Sequence, residues 1–593
     1  MSKVRATPEF PSIPEKQAQK TGLVGSLFPS STGRSDVVSI VAVPSKEKNK
    51  PSNRWWLGAP GVAALTLIIQ GSMVDWAWRH NLIYGFGDSL SHMTIARRIW
   101  DSPNPGLSQL GTTWLPLPHL IFAISTLWMW SWRTGVAGSF ITVGCAVVTS
   151  VSLYRIGQRT GLGNGGGWVA AMIVASNPSW SYVSAVPMTE PFTVAATCLA
   201  TAGLIRWGTS ERAYSTGLVA LFCGLPTAAA MLTRYEAWGF AALAGIAVLW
   251  VSWRRFGWGS LMRRQVFAFA VLPTLTVFWW VVFNWSVFGD PLAFEHGPYS
   301  SKALVAPLGS LGLIYGKGNL PASFALYGKT ILDIAGSATV VAAFIGLAVT
   351  FIRWRGLRQE LWLCLAGVGI FVVASIWQGQ VFIRLPQMIP PGVLNTRYGV
   401  ESLPFLAVAA AQTLRLTQLK FLHLHPTTLR RGLALLMVGI LSGGWALGVV
   451  NGTIPGTSLT VLEAKSDASA GADQRLVGQW LHNNATRGYI LLDDTVLPVL
   501  PLIGFDFHRV IFTSSGPVWR RLLSHPRLAT WVAVEVGNPS DVVWTTLQRE
   551  GVLGTVFLPI AAFGSYVIYK QESAPQQLPP DHLIPASLAG SPQ

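Results

Sequence analysis

The sequence predicts a polytopic α-helical membrane protein with a small α/β domain near its C-terminus. Half of the 593 residues are hydrophobic, and only 12% are charged. Several apolar runs reach the roughly 18 to 20 residues that cross a bilayer as a helix. Lys and Arg occur in short clusters between these runs, which is typical of cytoplasmic loops and not of a nucleic-acid-binding face. The composition therefore excludes a soluble enzyme and argues against nucleic acid as a partner.

The N-terminal segment, residues 1–54, is polar and carries no apolar run near its start. This composition predicts a disordered cytoplasmic tail and no cleaved signal peptide. Basic residues just before the first predicted span, at 56–76, are expected to hold the N-terminus inside the cell. The loop that follows, residues 79–133, is then expected to lie on the outer face.

The segment from Leu115 to Trp130 decides the rest of the topology. If it crossed the membrane, every later basic cluster would lie outside; as a juxtamembrane helix, it leaves all of them inside. We therefore predict a juxtamembrane helix. Further spans are predicted at about 134–154, 166–184, 189–205, 215–233, 237–252, 266–284, 325–352, 361–377, 399–414 and 432–450. With the first span, these give about eleven transmembrane helices in a module at 55–451 of a plasma-membrane protein.

The character of the chain changes after the last predicted span. Residues 452–575 alternate between short strand-like and helical segments, which predicts an extracytoplasmic α/β domain. The strands are expected in YILLDD, RVIFT, TWVAVEV and TVFLP. Residues 576–593 are expected to be a disordered tail. The four cysteines lie in apolar segments without metal-ligand spacing, so we interpret them as small buried hydrophobic residues.

The most informative stretch of the first outer loop runs from Tyr84 to His119. A helix is predicted to begin near Asp88 and to end before Pro103, which places Asp88 and His92 on one face. An acidic residue at the mouth of a membrane bundle is a candidate functional residue. Two simpler interpretations stay open: Asp88 caps the helix, and His92 is a hydrogen-bonded interfacial residue that binds no metal.

Other charged residues are expected on the same outer face. Arg234 and Arg397 each precede a span whose helix N-terminus favours an anion such as phosphate, although both could instead extend to lipid headgroups. A neighbouring carboxylate could act as a general base on an attacking hydroxyl. Glu190 has an alternative role as a helix-starting residue. The remaining candidates on this face are Glu236, Asp290, Glu295, His296, Lys302, Arg384 and Glu401.

The order of several short motifs resembles the GT-C membrane glycosyltransferases. These motifs are GDSLSHMTIARR, TTWLPLPHL, NPSWSYVSAVPMTEP, LTRYEAW, FGDPLAFEHGPYS and NTRYGVESLPFLA. They lie within residues 55–415 and are most similar to the branch of protein mannosyltransferases and aminoarabinose transferases. The resemblance implies a polyprenyl-phosphate sugar as donor, an outer-face active site, and inverting transfer to a hydroxyl or amine of a protein, lipid or glycan.

The resemblance also implies roles for particular residues. Asp88 would be the general base, and Glu190 would orient or activate the acceptor. Arg234 and Arg397 are the first candidates for binding the donor phosphate. The other candidate substrate-binding residues are His92, Glu236, Lys302 and Arg384.

Two departures from the family pattern limit what can be carried over. Ser89 follows Asp88 where mannosyltransferases have Asp-Glu, so neither mannose nor the acceptor class is assigned. No Asp-x-Asp motif follows in the second outer loop, so we predict a reaction without metal or other cofactor, with a divalent metal left open. A transporter or flippase and a non-catalytic scaffold are the alternatives. The span interiors carry few charges and no internal repeat is evident, which favours the glycosyltransferase.

Overall fold

The structure is a computed structural model that describes residues 58–297, 300–310, 313–418, 432–434, 437 and 458–571. The predicted tails and most of the predicted span at 432–450 lie outside these ranges. The core is apolar and continuous through the helical part of the chain, with Trp180, Trp207 and Trp362 fully buried in it.

The first part of the described chain is helical and begins with the segments that surround the predicted outer loop. The helices are α1 (Ala59–Arg79), α2 (Gly87–Arg98), α3 (Pro116–Ser125), α4 (Met129–Thr134), α5 (Val136–Gly157), α6 (Gly163–Ala175), α7 (Pro178–Val183), α8 (Glu190–Thr209) and α9 (Thr216–Met231). The following helices are α10 (Glu236–Phe256), α11 (Ser260–Phe288), α12 (Ala293–His296), α13 (Ser301–Ser310), α14 (Leu320–Ala335), α15 (Ser337–Ile352), α16 (Leu361–Gln378) and α17 (Leu403–Ala411). A 3₁₀ turn, Thr396–Ser402, leads into α17.

The apolar character of these helices makes the protein a multi-pass membrane protein. Within the described residues, four helical runs are long and apolar enough to cross a membrane, or five if the bent pair α14 and α15 is one span. One of these runs, Val136–Ala175, joins α5 and α6 through Gly161, whose φ of +83° favours glycine. The two helices pack closely, because a Cβ on Gly157 would lie 2.7 Å from the Gly167 backbone. The number of about eleven spans stays a prediction.

Three predicted helices differ from the structure. The segment at 325–352 is two helices bent by 112°. The bend falls at Gly336, whose φ of +79° cannot continue a right-handed helix. The predicted juxtamembrane helix Leu115–Trp130 is divided between α3 and the separate short helix α4. The predicted helix at 166–184 is interrupted at Asn177, because the following Pro178 disfavours a helical conformation there.

The C-terminal part of the described chain combines helices with one mixed sheet. Its helices are α18 (Leu459–Ala470), α19 (Ala472–Asn484), α20 (Leu500–Ile503), α21 (Pro517–Ser524) and α22 (Val542–Arg549). Its strands are β1 (Ile490–Leu492), β2 (Val510–Ile511), β3 (Trp531–Glu535), β4 (Leu558–Phe563) and β5 (Tyr566–Lys570), in the order β2-β1-β3-β5-β4. Strand β1 is parallel to β2 and β3, and the β4–β5 hairpin is antiparallel. The strand expected at TVFLP begins three residues later, and β5 was not predicted.

Helix α18 joins the sheet-containing part to the helices that carry the predicted outer motifs. Thr460 donates a hydrogen bond of 3.1 Å to the carbonyl of Ser179. Arg98 of α2 donates a hydrogen bond of 2.8 Å to the hydroxyl of Ser514, which follows β2 in the chain. These two contacts join the C-terminal part of the chain to α7 and to α2.

Candidate active site

Arg234 lies among three acidic side chains just before α10. Its Nη1 is 3.0 Å from Oε1 of Glu190, its Nη2 is 3.1 Å from Oε1 of Glu236, and its Nε is 2.9 Å from Oε1 of Glu401. The ring of Tyr398 covers one face of the guanidinium at 5.0 Å. The negative charges of these carboxylates outweigh the effect of burial and raise the pKa of Arg234. Arg234 is therefore a fixed cation inside an acidic cluster.

Arg397, in the 3₁₀ turn before α17, also contacts three carboxylates, one of which, Glu190, it shares with Arg234. Its Nε is 3.0 Å from Oε1 of Glu190, and its Nη1 is 2.7 Å from Oε1 of Glu463. Its Nη2 donates to Oδ2 of Asp88. Each of the three guanidinium nitrogens therefore contacts a different carboxylate, which fixes the orientation of the planar group.

Asp88 and Glu190, the two predicted catalytic residues, meet at Arg397. The structure thus brings together six of the residues that the sequence singled out, and two of them, Asp88 and Arg397, are 309 residues apart in the chain. The six are Asp88, Glu190, Arg234, Glu236, Arg397 and Glu401. The interpretation of Asp88 as a helix cap is wrong, because Phe86 occupies the N-cap of α2 and the carboxylate contacts Arg397. Lipid-headgroup contact by the arginines is also excluded, since their side chains are only 10% and 9% exposed.

Exposure separates Asp88 from the other carboxylates of the cluster. Its side chain is 35% exposed, whereas those of Glu190, Glu401 and Glu463 are fully buried. Glu236 is 8% exposed. Asp88 is therefore the carboxylate of this set that can contact a molecule arriving from outside the cluster.

Asp88 lies in the first turn of α2. Two residues of the C-terminal part of the chain lie against the backbone just before it. The Gly87 amide lies close to Asp467 of α18 and opposes the rise in the pKa of that carboxyl. Arg475 of α19 donates to the carbonyl of Tyr84. These contacts hold the first turn of α2 in place, and burial together with Glu463 raises the pKa of Asp467 to about 6.

Glu463 is the site residue that the sequence did not single out. Its Oε1 accepts from the Asn395 amide at 2.8 Å and from Arg397, and its Oε2 accepts from the Thr396 amide at 2.9 Å and hydroxyl at 2.7 Å. The segment LTVLEA, in which it lies, contains an acidic residue among apolar ones. A charge in such a setting is rarely buried without a partner, and this is the signal that could have identified it.

His92 lies one turn after Asp88, but it pairs with another histidine. Its Nδ1 is 3.0 Å from Nε2 of His119, and Trp114 packs edge-on against its ring at 4.6 Å. Burial lowers the pKa of both histidines well below the usual range, with Arg234 and Arg397 adding to the effect on His92. The pair is therefore uncharged at neutral pH, in agreement with a hydrogen-bonded role for His92.

The other candidates lie outside the direct contacts of the cluster. Asp290 pairs with His296 at 2.9 Å on the surface, and Glu295 accepts from Gln380 at 3.2 Å. Lys302 is exposed on α13 and forms no ion pair within the described part of the chain. None of the described residues forms a group of three or more His, Cys, Asp or Glu side chains arranged to hold a metal ion.

Arg384 lines a separate cavity of about 340 Å³. Lys317 lines the same cavity, and the buried Nε of Arg384 has no hydrogen-bond partner. A backbone pair between Arg384 and Leu394, at 3.0 and 3.1 Å, connects this cavity to the segment that carries Arg397. Neither cation has a carboxylate partner among the residues that the structure describes.

Comparison with solved structures shows a likeness of fold to a membrane protein of the GT-C class. ArnT from Cupriavidus metallidurans bound to undecaprenyl phosphate superposes with a TM-score of 0.52 and 13% identity, over 90% of this chain and 99% of that chain. The sequence resemblance to GT-C glycosyltransferases is therefore confirmed as a likeness of fold.

Two other solved structures are less similar. AglB from Archaeoglobus fulgidus, in complex with an inhibitory peptide and a dolichol-phosphate, gives a TM-score of 0.43 and 11% identity over 80% of this chain and 69% of that one. Arabinofuranosyltransferase AftD from Mycobacteria gives a TM-score of 0.41 and 15% identity, over 87% of this chain and 40% of that one. Scores at this level do not define a shared fold. No protein-family model and no curated protein matches the chain.

Proposed function

We propose that this protein is a membrane glycosyltransferase that moves a sugar from a polyprenyl-phosphate donor to an acceptor at the extracytoplasmic face. The observation that carries the proposal is the position of Asp88, a partly exposed carboxylate at the edge of a buried, ordered charge cluster. The ArnT fold supports the class of reaction, and the undecaprenyl phosphate bound to that protein suggests the class of donor. The sugar is a hexose or pentose.

In the proposed reaction, Asp88 accepts a proton from the hydroxyl or amine of the acceptor. The lone pair of that oxygen or nitrogen then attacks the anomeric carbon, and the bond between this carbon and the phosphate oxygen breaks. The leaving group is the polyprenyl phosphate, which takes the bonding electrons. Arg397 orients the carboxylate of Asp88 through Nη2, and Glu190 fixes Arg397 through Nε.

The donor phosphate is proposed to bind beside the cavity of Arg384 and Lys317. The cluster itself contains five carboxylates that contact only two guanidinium groups. An anion entering it would be repelled, and it would have to displace carboxylates from the arginines. Arg384 has a buried donor without a partner, and Lys302 and Lys317 are exposed cations. This assignment differs from the sequence-based prediction that Arg234 and Arg397 bind phosphate.

The topology belongs to the same proposal. About eleven spans, a cytoplasmic N-terminus and an extracytoplasmic C-terminal α/β domain place α18 and the cluster on the outer face. Ser540, which is exposed after β3, provides a test as Ser540→Cys. A membrane-impermeant maleimide should label this variant in intact cells, and labelling only after disruption would contradict the orientation.

The proposal is tested by sugar transfer in proteoliposomes from a panel of radiolabelled polyprenyl-phosphate sugars. Asp88→Asn should reduce transfer by about 10²-fold or more, because general-base catalysis contributes this much. Asp75→Asn is the matched control, since Asp75 is 57% exposed in a surface ion pair with Arg79. It should leave transfer unchanged. A chelator should also leave the rate unchanged if the reaction needs no metal.

The outcomes separate the proposed enzyme from its alternatives. Transfer by wild type and by Asp75→Asn, with loss in Asp88→Asn, supports the base mechanism. Equal transfer by all three would remove Asp88 from the chemistry. Undetectable transfer by folded wild type across the panel would oppose the enzyme and favour a transporter, a flippase or a scaffold.

A further inference from the structure

Helix α18 contacts the candidate active site at two positions one helical turn apart. Glu463 binds Arg397, and Asp467 lies close to the amide of Gly87, the residue before Asp88. Residues four apart in a helix project from the same face, so both carboxylates point toward the site. Through them, α18 contacts the backbone before Asp88 and the arginine that holds its side chain.

The environment of Glu463 is built for a charged group. The residue is fully buried, and its two oxygens accept four hydrogen bonds, from the amide of Asn395, the amide and hydroxyl of Thr396, and the guanidinium of Arg397. A buried carboxylate persists only when its lone pairs are satisfied in this way. The four donors all belong to the segment that leads into α17.

We propose that Glu463 is a positioning residue of the active site, which holds Arg397 in the orientation that contacts both Asp88 and Glu190. The argument rests on the proposed function, because it assigns Glu463 a part in the placement of the base. Each guanidinium nitrogen of Arg397 contacts a different carboxylate, and Nη1 contacts Glu463. Without that contact the guanidinium loses one of three fixed points and can rotate away from Asp88.

An anchoring role alone would have different consequences. If Glu463 only fastened α18 to the turn at 396–402, its removal would loosen these two segments and leave α2 unchanged. If it positions Arg397, the first turn of α2 must also loosen, because the partner of Asp88 is no longer fixed. The two roles therefore differ at a place that Glu463 does not itself contact.

Hydrogen exchange provides a test that does not depend on activity. In the full-length protein in detergent, Glu463→Gln should increase exchange in peptides covering 86–98 as well as in those covering 395–402. Glu360→Gln is the matched control. Glu360 is also fully buried and bound by an arginine, Arg415, at 2.8 Å, but it lies outside the cluster. Its loss should leave exchange in 86–98 at the wild-type level.

Kinetics provide the second readout. Glu463→Gln should lower kcat by about 10- to 100-fold, as misplacement of a reacting group does, while KM for the donor stays within about threefold. Glu463 does not itself contact Arg384, beside which the donor phosphate is proposed to bind. Glu463→Asp, which keeps the charge and shortens the side chain, should show the same pattern with smaller changes, and it replaces Glu463→Gln if that variant does not fold.

Each result decides between the roles. Increased exchange in 86–98 together with a fall in kcat supports positioning. Exchange changes limited to 395–402 and 459–470, or an unchanged kcat, would overturn it. If wild type transfers no sugar, the proposed function fails, and exchange in 86–98 still decides whether Glu463 holds the Arg397–Asp88 contact.

Discussion

Replacement of Arg397 by lysine tests the geometry of the cluster directly. The change keeps the positive charge but replaces three separate nitrogens by one ammonium group, which cannot reach Asp88, Glu190 and Glu463 together. Glu190 would keep its contact with Arg234, and Glu463 would keep the donors of Asn395 and Thr396. The substitution therefore removes at least two charge-assisted hydrogen bonds without adding or removing a charge.

The expected loss of stability follows from the burial of these groups. Hydrogen bonds to charged groups contribute about 1.5–3 kcal/mol each, and breaking a buried ion pair costs about 3–5 kcal/mol. We expect Arg397→Lys to lower the free energy of unfolding by about 3–5 kcal/mol. With an unfolding entropy of roughly 2 cal/mol/K per residue, this corresponds to a fall in Tm of about 2–4 °C.

Thermal unfolding of purified variants in one detergent provides the assay. Arg79→Lys is the control, because Arg79 forms an ion pair with Asp75 in which the side chains are 73% and 57% exposed. Exposed pairs contribute about 0–1 kcal/mol, so this Tm should change by less than about 1 °C. High salt should leave the effect of Arg397→Lys in place, since buried pairs are screened less. Equal shifts in the two variants would refute the assignment of Arg397 to a buried network.

Three further predictions concern pH and donor binding. The pKa of Asp467 is raised to about 6, so the folded state binds this proton more readily than the unfolded state, and the contribution of Asp467 to stability increases as pH falls from about 7 to 4. Asp467→Asn should raise Tm at pH 8 and remove this contribution, while the exposed Lys465→Gln should not. The histidine pair contributes in the opposite direction: burial lowers the pKa of His92 and His119, so protonation favours the unfolded state and the pair lowers Tm below about pH 6.5. His92→Asn should weaken that decrease in a pH series. Arg384→Gln should raise KM for the donor about tenfold or more in the transfer assay, with kcat and Tm nearly unchanged, and an unchanged KM would place the phosphate elsewhere.

The helical fold and much of the candidate site could be predicted from the sequence, because both depend on local patterns. Apolar runs and basic clusters indicate the spans, and short motifs at span ends indicate Asp88, Glu190, Arg234 and Arg397. The bend between α14 and α15 was missed, since a single glycine within an apolar run gives no reliable sign of a left-handed conformation. The start of β4 lies within the predicted strand TVFLP, but β5 and its pairing with β4 were missed, because that pairing is set by tertiary contacts beyond the local sequence pattern.

The role of Glu463 could not be predicted from local sequence patterns. Its role depends on an arginine 66 residues earlier in the chain, and no spacing rule connects α18 to the turn before α17. The segment is apolar in its first half, LTVLEA, and polar in its second half, KSDASA, so its sequence marks Glu463 as unusual without indicating its partner. The partners become apparent only in the contacts with Asn395 and Thr396.

The charge balance of the cluster explains why the two arginines were given a different role from sequence. Arg234 and Arg397 each precede a helix, and that position by itself favours an anion. In the fold, the anions at those positions are the protein's own carboxylates, contributed by α2, α8, α10, α18 and the turn before α17. An arginine surrounded in this way fixes acidic side chains and has little free capacity for phosphate. Under the proposed function, the donor phosphate and the base are therefore held by separate sets of cations, and the kinetics of Arg384→Gln and Glu463→Gln should separate them as effects on KM and on kcat.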